Sequence, residues 1–201
     1  MRRARLGIAL TLSGLALAAC GGATLSPHLR PETAQPPAPL PAGWQRRLDF
    51  TSGVSLGVPP GWRAQRRVDS LLVTSPDRLV AISISADRTG SVLRVPLDRL
   101  APAALHALGG YRDPLQPGKG APFPGTPLAG ASAVATGVST TGVRQRVQLI
   151  VLRRDYIVTY TLVVAANAAG TPPPEIAEAL AIARTVRDLP IGGNGGAFGR
   201  R

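Results

Sequence analysis

The chain has 201 residues, a formal net charge of +12 and only 4% aromatic residues, with one cysteine and two histidines. So few thiols and imidazoles exclude a disulfide framework and a zinc site of the usual four-ligand kind. Its 23 basic residues are all arginine except Lys119, scattered and not interleaved with aromatics, which is not the pattern of a nucleic-acid-binding surface.

Arg2, Arg3 and Arg5 lead into an apolar run from Leu6 to Leu17. A basic start, a short apolar stretch and small residues before a cleavage point make a secretory signal. The run is too short to span a bilayer, which takes about 20 apolar residues. It closes on Leu17-Ala18-Ala19-Cys20, which resembles the lipobox of bacterial lipoproteins. That resemblance implies cleavage before Cys20 and attachment of a diacylglyceryl group to its thiol. Residues 1–19 are then the signal peptide, and two acyl chains make a durable anchor where one would not. The expected location is the extracytoplasmic side of a bacterial membrane, periplasmic or at the cell surface. Without the three signal arginines the charge is +9. Such a charge reflects either an arginine-rich composition or attraction to anionic headgroups.

Residues 20–42 form a tether after Cys20, with Pro27, Pro31, Pro36, Pro37, Pro39 and Pro41 and little that packs. Extended at ~3.1 Å per residue, it reaches at most roughly 70 Å. A single domain is expected over 43–190. Leu48-Asp49-Phe50 and Val54 to Val58 alternate apolar and polar positions, as half-buried strands do, and Pro59-Pro60-Gly61-Trp62 ends the second. Leu71 to Ser75 and Leu79 to Ala86 read as two more strands, joined by Pro76-Asp77-Arg78. Pro96 to Leu108 carries apolar residues at helical spacing, with Asp98 as N-cap and Gly109-Gly110 as stop; Pro102 fits only near the helix start. Tyr111 to Pro127, with five prolines and three glycines, reads as a long loop of the kind that is often functional. Gly130 to Thr140, Val143 to Arg153 and Tyr156 to Val164 read as hairpin-linked, antiparallel strands. Pro173 to Leu189 reads as a second helix with a stripe of Ile176, Ala179, Leu180, Ala183 and Val186. Residues 191–201 read as a Gly-rich flexible tail.

This order gives an α+β fold, a mainly antiparallel β-sheet flanked by helices. Val54-Ser55-Leu56-Gly57-Val58-Pro59-Pro60-Gly61-Trp62 resembles the strand and Pro-x-Gly-Trp opening of PsbP-like domains. Leu71 to Ala86 resembles their next hairpin, Arg153-Arg154-Asp155-Tyr156 their late hairpin, and Ala179 to Arg187 their closing helix. The likeness covers about residues 48 to 188. The family includes extrinsic photosystem II subunits, Mog-type Ran-binding proteins and bacterial lipoproteins. The resemblance implies an α-β-α sandwich and an accessory or binding role more than catalysis. No motif specifying photosystem or Ran binding is present, so neither function is carried over.

The catalytic patterns are weak. Gly53-Val54-Ser55-Leu56-Gly57 matches the nucleophile-elbow letters, but an elbow needs a helix after the serine, and Pro59-Pro60 follows instead. His106 is the only later histidine. Gly118-Lys119-Gly120 lacks the spacing of a phosphate-binding loop, and the acidic residues are spread singly, with no calcium-loop pattern. No cofactor and no metal is expected. The candidate interaction residues are Arg63, Arg66 and Arg67 after Trp62, and Arg144, Arg146, Arg153 and Arg154 around one hairpin. The expected function is that of a non-enzymatic, membrane-anchored accessory domain binding another envelope protein. The alternatives are a small-ligand or lipid-binding module, and a hydrolase using Ser55 or a carboxylate pair formed in space.

Overall fold

Among the described residues, two antiparallel sheets and two helices account for the regular structure. The computed structural model describes residues 39–50, 52–87, 89, 92, 95–154, 159–168 and 172–189. The expected signal peptide, Cys20, nearly all of the expected tether and the Gly-rich tail lie outside the described residues, as do Asp155, Tyr156 and Val158.

In chain order the elements are β1 (Gln45–Asp49), β2 (Val54–Val58), β3 (Arg63–Arg66), β4 (Leu71–Thr74), β5 (Val80–Asp87), α1 (Leu97–His106) and β6 (Ala121–Pro122), then β7 (Ala129–Val138), β8 (Arg144–Arg153), β9 (Thr159–Asn167), α2 (Glu175–Arg184) and β10 (Arg187–Asp188). A seven-stranded sheet runs β3-β4-β5-β9-β8-β7-β6, and a three-stranded sheet runs β1-β2-β10. Every pairing in both is antiparallel.

Strand alternation sorts the core into two layers. Val147, Leu149 and Val151 of β8 and Val163 of β9 join Leu100, Ala101 and Leu105 of α1 on one face of the large sheet. Ile150, Leu152, Leu162 and Val164 join Ile82 and Ile84 of β5, Ala179, Ile182 and Ala183 of α2 and Val54, Leu56 and Val58 of β2 on the other. The helices thus lie on opposite faces, an α-β-α sandwich, with the small sheet beside α2. Burying branched aliphatic side chains stabilises by roughly 1.5–3 kcal/mol each, which lets a core poor in aromatics hold.

Several expectations need correction. β2 is wholly buried, Ser55 and Gly57 included, because it is the central strand of its sheet; the expected half-burial fails there. Phe50 falls outside β1 and is exposed. β3 was not expected. Asp98 does not cap α1: Pro96 holds the N-cap position without a side-chain bond, and Pro102 sits inside the helix. α2 stops at Arg184, and Arg187-Asp188 pair with β2 instead of continuing it.

The segment from Tyr111 to Pro127 is tied down. Arg112 N–H donates to Val138 O, Gly118 N–H to Val134 O and Phe123 N–H to Gly130 O. Leu115 and Phe123 are buried, one in each core layer. Tyr111 donates its hydroxyl hydrogen to Gln145 Oε1 at 3.1 Å, and burial pushes its phenol up to about 12.

Candidate functional site

The β3-β4-β5 end of the large sheet carries an open groove. Arg63 lies opposite Thr74 and Gln65 opposite Leu72, and Thr74 lies opposite Ala81. Directly paired residues share a face, so these five side chains stand on the α1 side of the sheet, at the end that the apolar stripe of α1 does not cover.

Two further arginines come from turns. Arg67 follows β3, its N–H bonded to Ser70 O at 2.7 Å. Arg78 stands in the β4–β5 turn, where Asp77 Oδ1 accepts from Ser75 Oγ at 2.6 Å and from Leu79 N–H at 2.9 Å. These bonds use the Asp77 side chain to shape the turn, a common role for that residue type. They hold Arg78 at φ +62°, a left-handed conformation that costs a side-chain-bearing residue about 1–2 kcal/mol.

The groove encloses about 300 Å³ and is lined by Arg63, Gln65, Arg67, Thr74, Ser75 and Arg78 over a floor that includes Leu72 and Ala81. Among the described residues, no carboxylate forms an ion pair with Arg63, Arg67 or Arg78. Guanidinium forks bind carboxylate or phosphate oxygens in pairs. Three of them around one concavity can pair with the oxygens of an anionic group.

The other candidate arginines go elsewhere. Arg66 faces the opposite side of the sheet, where Nε and Nη2 donate to Asp49 Oδ1 at 3.3 and 3.2 Å. Asp49 is buried and also accepts from Ser52, so Arg66 ties the two sheets together. Arg153 Nη2 donates to Val92 O and Val95 O, both at 3.0 Å, which holds the β5–α1 connection. Arg154 pairs with Asp188 of β10. Arg144 and Arg146 are exposed and share the parity of Ile150, placing them on the α2 side, away from the groove. The two basic groups therefore do not merge, and only Arg63 and Arg67 of the seven meet in one site. Arg78 joins them unforeseen; hairpin pairing of β4 with β5 was the signal that could have placed it.

Ser55 and His106 form no dyad. Ser55 is buried in the small sheet, where its Oγ accepts from Arg46 Nη1 at 3.3 Å. His106 ends α1 on the other side of the large sheet, its Nδ1 2.8 Å from Leu115 O. Among the described residues, no cluster of three or more His, Cys, Asp or Glu is placed to hold a metal ion. None of their helices is long and apolar enough to cross a membrane.

A large antiparallel sheet with a helix on each face and a small accompanying sheet is the PsbP-like architecture, and solved structures show the same fold. The cyanobacterial PsbP (CyanoP) of Synechocystis sp. PCC 6803 is similar at a TM-score of 0.52 and 12% identity, with 86% of this chain and 98% of that one covered. A Bacteroides thetaiotaomicron VPI-5482 protein is similar at 0.50 and 13%, covering 73% of this chain and 48% of that one, so this chain spans about half its length. The Saccharomyces cerevisiae Ran-binding protein Mog1p follows at 0.47 and 9%, with 73% and 95% covered. At these identities the likeness is one of fold. No family model and no curated protein matches the sequence.

Proposed function

We propose that this chain is a lipid-anchored accessory module of the bacterial cell envelope that binds a partner protein without transforming it. Cys20 is the anchor, the Pro-rich segment after it supplies reach, and the arginine groove receives an acidic group of an envelope protein. The observation that carries this reading is the convergence of Arg63, Arg67 and Arg78, which have no ion-pair partner among the described residues. The separation of Ser55 from His106 supports a binding role over a serine hydrolase. A second reading rests on the size of the groove. At about 300 Å³ it stands at the lower end of small-molecule sites, roughly 300–1,000 Å³, and a small organic anion would then be the occupant.

The test is recovery of partners from gently crosslinked native membranes, with Cys20→Ala as the unanchored control. The wild type is expected to bring down one protein in near-stoichiometric yield, and Arg63→Glu/Arg67→Glu/Arg78→Glu to lose it while staying folded. Undiminished recovery by the triple variant would contradict the groove as the contact. No protein partner at all, with correct membrane localisation, would favour the small anion.

A further inference from the structure

The small sheet has two unlike faces. Leu48 and Arg187 both lie opposite Ser55, and Arg46 lies opposite Gly57. These residues share the face turned away from Val54, Leu56 and Val58, which lie in the core. The acidic residues of the same strands, Asp49 and Asp188, both lie opposite Val54 and are taken by Arg66 and Arg154. The outward face therefore presents cations without anions. Arg46 donates to Ser55 Oγ and Arg187 to the carbonyls of Arg184 and Val186; among the described residues neither has an ion-pair partner. Burial and the neighbouring Arg46 guanidinium lower the pKa of Arg187, and an anion there would offset the repulsion between the two guanidiniums.

The same region exposes apolar surface. Leu48 is 53% exposed and Phe50, two residues on, is 76% exposed. Leu40 and Trp44 cover the middle of this face, where a Cβ on Gly57 would lie 2.6 Å from Leu40 Cδ2 and 3.0 Å from Trp44 Cε3, so what the face presents is Arg46, Leu48 and Arg187 on its two edge strands. Guanidiniums flanking exposed aliphatic and aromatic side chains are the composition that settles at an anionic bilayer surface, heads on phosphates and apolar groups at the acyl boundary.

We infer that the outward face of β1-β2-β10 docks on anionic phospholipid, fixing how the domain sits on its membrane and leaving the groove free for a partner. The orientation rests on Cys20 being the anchor; the lipid contact does not. The test uses the signal-free chain from residue 20 with Cys20→Ser, so that no acyl chain contributes, and vesicles of phosphatidylcholine with or without phosphatidylglycerol. Binding is expected only with phosphatidylglycerol, and salt should weaken it. Each of Arg46→Gln and Arg187→Gln should lower it about fivefold, equivalent to about 1 kcal/mol per arginine near the surface. Phe50→Ser should lower it too, at an exposed position whose change leaves the fold intact, whereas Arg63→Gln/Arg67→Gln should not. Absence of binding, equal binding to both vesicles, or loss only in the groove variant would overturn the inference. Acylation of Cys20 is read separately, from the mass of the N-terminal peptide in the native protein, so failure of the anchor and failure of this face are told apart.

Discussion

Pro102 has no amide hydrogen to give the carbonyl of Asp98, one turn earlier in α1, and the backbone of Gly120 closes over that carbonyl. A Cβ at residue 120 would lie 1.9 Å from Asp98 O, against backbone that cannot swing aside. Gly120→Ala is therefore expected to cost about 1–3 kcal/mol, the usual penalty of overpacking. Gly109→Ala, with nothing within 4 Å of the added atom, should change stability by no more than about 0.5 kcal/mol. Urea denaturation of the two variants checks this; equal losses would mean that the contact is not what constrains residue 120. The same scale explains the arginines. Once Arg63–Arg66 is known to be a strand, Arg63 and Arg66 must face opposite ways, and one becomes a groove residue while the other becomes a tie between sheets.

At the scale of elements, legibility in the sequence followed burial on one face. β5 and β7 largely alternate larger apolar with small or polar residues, while β4 and the second half of β8 read as apolar runs, in β8 because Leu149 to Leu152 meet a core on both sides; both patterns predict strands. β3 reads Arg-Ala-Gln-Arg and is exposed throughout; an edge strand held by backbone pairing alone leaves no hydrophobic trace. β10 hides for the opposite reason. Val186 is buried and prolongs the helical spacing of Ala179 and Ala183, although the chain has already left the helix at Thr185 to lay Arg187-Asp188 on β2. The groove was illegible because Arg78 lies a full strand away from Arg67 in sequence and meets it only through β3-β4-β5 pairing. Asp188 shows what β10 contributes: it accepts from Arg154 and from the hydroxyl of Tyr160, a fully buried side chain. Asp188→Ala is expected to destabilise by about 2 kcal/mol, the range for a hydrogen bond to a charged group. Thermal or urea unfolding measures it, and an unchanged midpoint would show β10 to be an ornament of the fold. The Tyr111 to Pro127 segment behaves likewise. Its Leu115 and Phe123 complete the two core layers, so deleting it tests folding before it tests recognition.

Across the whole molecule, cationic groups are divided by task. Arg66, Arg153 and Arg154 are spent on Asp49, on the β5–α1 connection and on Asp188. Arg46 and Arg187 occupy the outward face of the small sheet, beside the segment that leads back toward Cys20. Arg63, Arg67 and Arg78 occupy the groove, on the far side of the large sheet from the small one. If the outward face of the small sheet docks on lipid as inferred above, the arginine-lined groove is left open on the opposite side of the large sheet, as the proposed binding role requires. The most direct measurement places a photoreactive side chain at Gln65, inside the groove, and a second at Gln148 on the α2 side of the sheet, then irradiates living cells. The account predicts one discrete protein adduct from position 65, absent when Arg63→Glu and Arg78→Glu are added. Adducts arising only from position 148, or an adduct at 65 indifferent to those charges, would contradict it.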